Sequence, residues 1–81
     1  MNELLNNLNK LHTTELGIIR IKRNLKLDEQ TDVIEYCKRK ITDPNTRIQR
    51  KGKNFYATTS RETITVNASK LSIITAHPVK K

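Results

Sequence analysis

A change of hydrophobic period at Pro44 limits the folds open to this chain more than any other feature of its sequence. Upstream, apolar residues recur three and four positions apart, and downstream they recur every second position. The first half therefore predicts helices and the second half strands. Leu4, Leu5, Leu8 and Leu11 predict a short amphipathic helix over residues 2–11. Thr13 as a cap and Glu15 in the first turn predict a second helix ending near Asn24. Leu16, Ile19 and Arg23 lie on one side of that helix, with Ile18, Ile21 and Leu25 on the other. Gly17 weakens it by about 1 kcal/mol relative to alanine, so a close approach by another segment is expected there. Asp28 or Thr31 caps a third helix whose buried stripe is Val33, Ile34, Cys37 and Ile41. Lys38, Arg39 and Lys40 load its C-terminal turn favourably, and Thr42-Asp43-Pro44-Asn45 stops it.

Past that stop, Ile48, Phe55 with Ala57, Ile64 with Val66, and Leu71 with Ile73 mark four strands. Lys51-Gly52-Lys53, Thr59-Ser60-Arg61 and Ala68-Ser69-Lys70 are the turns between them, and connections this short force antiparallel neighbours. The predicted fold class is α+β, with two or three N-terminal helices packed on one face of a four-stranded antiparallel β-meander. Residues 1–42 form the helical half and residues 46–78 the sheet of a single domain spanning residues 1–81. With the apolar positions turned inward, the opposite face presents Arg47, Gln49, Asn54, Tyr56, Thr58, Thr63, Thr65, Asn67 and Ser72, with Lys51 near its edge. That face is polar, basic and rich in hydrogen-bonding groups.

A chain of 81 residues buries only about 60% of its unfolded surface, so modest stability is expected, and a homodimer is as open as a monomer. Cys37 is the only cysteine, which excludes an intramolecular disulfide. The start MNELLNNLNKL lacks the basic and apolar regions of a secretion signal, and no apolar run approaches the roughly 18 residues of a membrane span. A cytoplasmic location with no membrane contact is the expectation. His12, Cys37 and His77 lack zinc-site spacing and a fourth ligand, so no metal is expected. No Gly-rich phosphate loop is present, and no cofactor is expected.

The formal net charge is +8, which favours polyanionic partners through counterion release and steering. Eight basic and six acidic residues fall in residues 1–42, whereas residues 43–81 hold eight basic residues against Asp43 and Glu62 alone. The excess charge lies in the predicted sheet. RNA or another polyanion is the partner this implies, and an acidic protein surface is the alternative.

Four blocks carry a family resemblance. His12-Thr13-Thr14-Glu15-Leu16-Gly17 with Arg20-Ile21, Arg50-Lys51-Gly52-Lys53-Asn54-Phe55-Tyr56, Ile64-Thr65-Val66-Asn67-Ala68 and Ile73-Ile74-Thr75-Ala76-His77 are similar to a small bacterial family, domain of unknown function 3781. That resemblance implies no activity. The order of His, helical Arg, helix, hairpin and a final strand bearing a threonine also resembles, in layout, the RelE- and BrnT-type ribonuclease toxins. This second resemblance implies metal-independent RNA cleavage by His, Lys, Arg and Thr side chains on an open sheet face.

Such cleavage needs a base for the 2′-hydroxyl, an acid for the leaving oxygen and cations for the phosphorane. His12, Lys51, Thr75 and His77 are the catalytic candidates, and on a strand Thr75 and His77 share a face. Arg20, Arg47, Arg50, Lys53, Asn54, Tyr56 and Asn67 are the candidates for nucleic-acid or anion binding. Arg50, Lys51 and Lys53 flank a glycine where cations can converge on a phosphate, and Tyr56 can stack a base. Basic hairpin tips also serve solubility alone, and three aromatics in the chain are too few for a dedicated stacking platform. Besides a dimeric structural module with no ligand of its own, two functions remain at this point. One is a basic nucleic-acid-binding domain, with metal-independent ribonuclease activity in its strongest form. The other is a non-enzymatic inhibitor or sequestering protein of phage or mobile-element type, gripping an acidic protein surface or an anionic nucleotide.

Overall fold

The computed structural model describes residues 3–79. Three helical segments precede four strands. They are α1 (Glu3–Asn6), continued by a 3-10 turn at Leu8–Lys10, then α2 (Glu15–Leu25) and α3 (Val33–Thr42). β1 (Arg47–Lys51), β2 (Asn54–Thr58), β3 (Glu62–Asn67) and β4 (Ile73–Pro78) follow. The strands pair in chain order, every pair antiparallel, so the protein is α+β with a four-stranded meander.

The expected first helix is shorter and broken, and Asn2, where it was to begin, lies outside the described residues. Leu4 and Leu11 are buried while Leu5 is exposed, so the segment is shaped by its two anchors. Thr14, not Thr13, caps α2, accepting from the Gly17 N–H at 3.0 Å. The Thr13 hydroxyl instead donates to the Ile73 carbonyl at 2.8 Å. This is the close approach that Gly17 permits, because a Cβ there would meet Thr13 Oγ1 at 2.2 Å. The cap of α3 is Asp32, accepting from the Glu35 N–H, since Asp28 is already used to close the preceding turn onto Gln30. α2 runs one residue past Asn24 and ends on Lys26 in the left-handed region (φ 55), with the Leu27 N–H reaching back to the Lys22 carbonyl.

One core cluster joins the two halves. Leu4, Leu11, Ile21, Val33, Cys37 and Ile41 meet Phe55, Ala57, Ile64, Val66, Ile73 and Ala76. On α2 the buried positions are Gly17 and Ile21, whereas Leu16 and Ile19 face solvent. Gly52 has φ +58 and Lys53 does not share the positive sign, which is the pattern of a two-residue hairpin turn with glycine first. Leu71 was expected to begin the last strand. It instead adopts φ 54 and closes the turn that Asn67 organises, its N–H donating to the Asn67 carbonyl. β4 begins at Ile73 and carries a bulge. Thr65 pairs with Thr75 and Val66 with Ile73, so Ile74 is the extra residue. Among the described residues no helix is long and apolar enough to cross a membrane.

Cys37 sets a pH limit on this core. Burial, then the Glu62 carboxylate, push its thiol from an ordinary 9.0 up to about 12. Above pH 9 the unfolded chain releases the proton while the folded chain holds it. Stability present below pH 9 is therefore lost as pH rises toward 12, by up to about 1.4 kcal/mol per pH unit. Urea titrations at rising pH should show this fall. Cys37→Ala should be less stable than the parent at neutral pH, by about 1 kcal/mol, and flatter in the alkaline range.

Candidate nucleic-acid interface

The strand register sorts the second half of the chain into two faces. On one, Ile48, Ala57, Ile64 and Ala76 line up across the sheet, and Arg50, Phe55, Val66 and Ile73 form the next row. On the other, the rows are Arg47–Thr58–Thr63–His77, Gln49–Tyr56–Thr65–Thr75 and Lys51–Asn54–Asn67. Every residue of these three rows is neutral or basic. Arg47, Gln49, Lys51 and His77 are exposed, and the threonines, Tyr56 and the two asparagines are half-buried. Thr58 and Thr63 hydroxyls stand 3.5 Å apart, and the Asn54 amide donates to the Tyr56 hydroxyl at 3.4 Å.

Of the catalytic candidates, Thr75 and His77 do come together, with Thr75 Oγ1 3.4 Å from His77 Nε2. The other ring nitrogen, Nδ1, lies 3.5 Å from the Asn24 amide, which also donates to the Ala76 carbonyl at 3.2 Å. Lys51 and His12 do not join this pair. Lys51 occupies the diagonally opposite corner, three strands away and two rows down, about 20 Å distant by strand spacing and rise. His12 extends the outer edge of β4 as a short parallel bridge to Ser72, and its Nδ1 is held by the Lys10 carbonyl at 3.0 Å. The four side chains form no common centre for proton transfer.

The binding candidates divide similarly. Arg47, Lys51, Asn54 and Tyr56 belong to the polar face, and exposed Lys53 sits in the hairpin turn beside it. Arg50 turns the other way, its guanidinium 5.3 Å above the Phe55 ring and its Nε donating to the Gly52 carbonyl. It does not converge with Lys51. Arg20 is exposed on α2, outside the sheet. Asn67 shares the polar face, but its amide oxygen already accepts from the Ser69 and Lys70 N–H groups.

Sequence reasoning missed Asn24, and it missed a second polar constellation around Glu62. Glu62 is buried, with the Tyr36 hydroxyl donating to Oε2 and the Thr59 hydroxyl to Oε1, each at 3.1 Å. Burial, then Glu62, push the Tyr36 phenol up to about 12. An open cleft of about 560 Å³ lies over this group, with Lys26, Lys40 and Arg61 among its walls. Both carboxylate oxygens have partners, so the network ties α3 to the β2–β3 turn. The signal was present in the parity of 62, 64 and 66, which puts Glu62 on the apolar face. Among the described residues no three of His, Cys, Asp and Glu gather as metal ligands.

A family model described as Protein of unknown function (DUF3781) matches residues 5–77. No curated protein and no solved structure matches the chain, so the layout resemblance to RelE- and BrnT-type toxins gains no support.

Proposed function

We propose that this chain, which belongs to the domain of unknown function 3781 family, binds single-stranded nucleic acid, RNA foremost, across the polar face of its sheet. In this reading the helices cover the apolar face and leave the polar one open. One observation carries it. The only acidic residue in the four strands, Glu62, lies in the core, so the polar face holds hydroxyls, amides, one phenol and cations with no carboxylate among them. A phosphate backbone meets no repulsion there, and most protein contacts to nucleic acid are to phosphate and sugar. Arg47, Lys51 and Lys53 supply the charge and Tyr56, central in its row, supplies a ring for one base.

This reading is of a binding function rather than a catalytic one, because His12 and Lys51 lie away from the Thr75–His77 pair. The Thr75–His77 pair serves as a phosphate or ribose contact. Anisotropy of a labelled single-stranded RNA should report binding whose log K falls linearly with log salt, by about 0.7 per phosphate neutralised. Tyr56→Ala should lose about 1–3 kcal/mol of binding. Absence of binding at low salt would remove the proposal. Cleavage of total tRNA in EDTA, abolished in His12→Ala, would replace it with the ribonuclease.

A further inference from the structure

α2 exposes a stripe that the core does not use. Leu16 is 71% and Ile19 59% exposed, and Arg23 completes the spacing of three and four along one side of the helix. Ile19 and Leu27 wall a shallow groove beside it, with Lys22, Arg23 and Glu29 at its margins. Leu16 and Ile19 together put apolar surface on the outer side of α2 that nothing in the fold covers.

The charges along the stripe say what the partner is. Glu15 stands at the N-terminal end of α2, Lys22 and Arg23 at the C-terminal end, and Ile19 midway. Neither Glu15 nor Arg23 has a salt-bridge partner among the described residues. A second α2 laid antiparallel across a two-fold axis near Ile19 brings each Glu15 to the other helix's Lys22–Arg23 end, while a parallel copy sets like charge against like. The stripe is thus complementary to itself in one orientation, which is the requirement of an isologous contact. We propose that the chain forms a reversible, two-fold symmetric homodimer through the Leu16, Ile19 and Arg23 face of α2. This is independent of the nucleic-acid reading, since it uses a helix and not the sheet.

A helix of 11 residues is only about 16 Å long, so the interface is below the standard size and a weak, concentration-dependent equilibrium is expected. Sedimentation equilibrium tests this without relying on a single variant. Glu15→Lys should be monomeric alone, because its new lysine faces Lys22 and Arg23. Lys22→Glu/Arg23→Glu should be monomeric alone for the opposite reason. Mixed in equal amounts the two should form a heterodimer, since every facing pair is again complementary. Ile19→Asp should be monomeric and find no partner in either. All four positions face outward or nearly so, and circular dichroism melts confirm that each variant folds. A parent protein still monomeric at about 1 mM, charge variants that self-associate as the parent does, or a mixture that stays monomeric would each overturn the proposal.

Discussion

Replacing Ile64 by alanine is expected to cost about 3–4 kcal/mol, the largest effect of any single substitution proposed for this protein. Ile64 is fully buried at the centre of β3, and its cross-strand neighbours on the apolar face are Ala57 and Ala76. Neither alanine can extend into the space that three lost carbons leave, so the cavity stays open and its full cost is felt. Globular chains of this length hold about 4–12 kcal/mol in total, and the loss is a large share of that. Urea unfolding should show the midpoint drop with an unchanged slope. Ile64→Val, which removes one methylene, should cost only about 1 kcal/mol.

The same strand shows why so much of the fold was legible beforehand. A period of two is a local property, and Ile64 and Val66 keep it without interruption, so their burial and the strand's two faces follow from sequence order alone. The three short turns then leave no topology but a meander. What escaped was decided by contacts between distant segments. Thr13 and Thr14 are equally good caps in isolation, and the choice falls to Thr14 because the Ile73 carbonyl claims the Thr13 hydroxyl. Leu71 fits an alternating pattern, yet the Asn67 side chain gathers the N–H groups of Ser69 and Lys70 and forces the chain to turn before the strand resumes. Ile74 is another such case, since nothing local marks the residue at which β4 slips by one against β3.

The site divides along the same line. Membership of the polar face depends on parity, and the parity of Arg47, Tyr56 and Lys51 in the sequence is enough to place them on it. Whether side chains from different strands meet depends on register and on which strands are neighbours, and chain order put Lys51 and His77 at opposite corners of the sheet. Thr75 and His77 were a pair in sequence terms because both lie on one strand, and they are a pair in space. Asn24, which completes their hydrogen-bonded line from α2, had no sequence signal, because only the packing of α2 against β4 brings it there.

Neutralising Arg47, Lys51 and Lys53 together should weaken binding of a single-stranded RNA about a hundredfold at 0.1 M salt and flatten the salt dependence by about two log units per decade. Each phosphate contact on a single strand contributes a salt slope of about 0.7, worth roughly fivefold at that concentration, and three contacts multiply. All three side chains are exposed, so the folded state should be altered by no more than about 0.5 kcal/mol for each. The loss has a rival explanation, namely that any fall from a net charge of +8 weakens attraction to RNA. Alanine at Lys10, Arg20 and Arg39 separates the two. These are exposed as well and carry the same formal charge, but they belong to the helical half. If the sheet face is the interface, this second triple variant keeps most of the affinity and an unchanged salt slope, because long-range steering alters encounter rates while counterion release follows the phosphates actually touched. Equal losses in the two triple variants would mean that the RNA senses only total charge, and the polar face would no longer be the site.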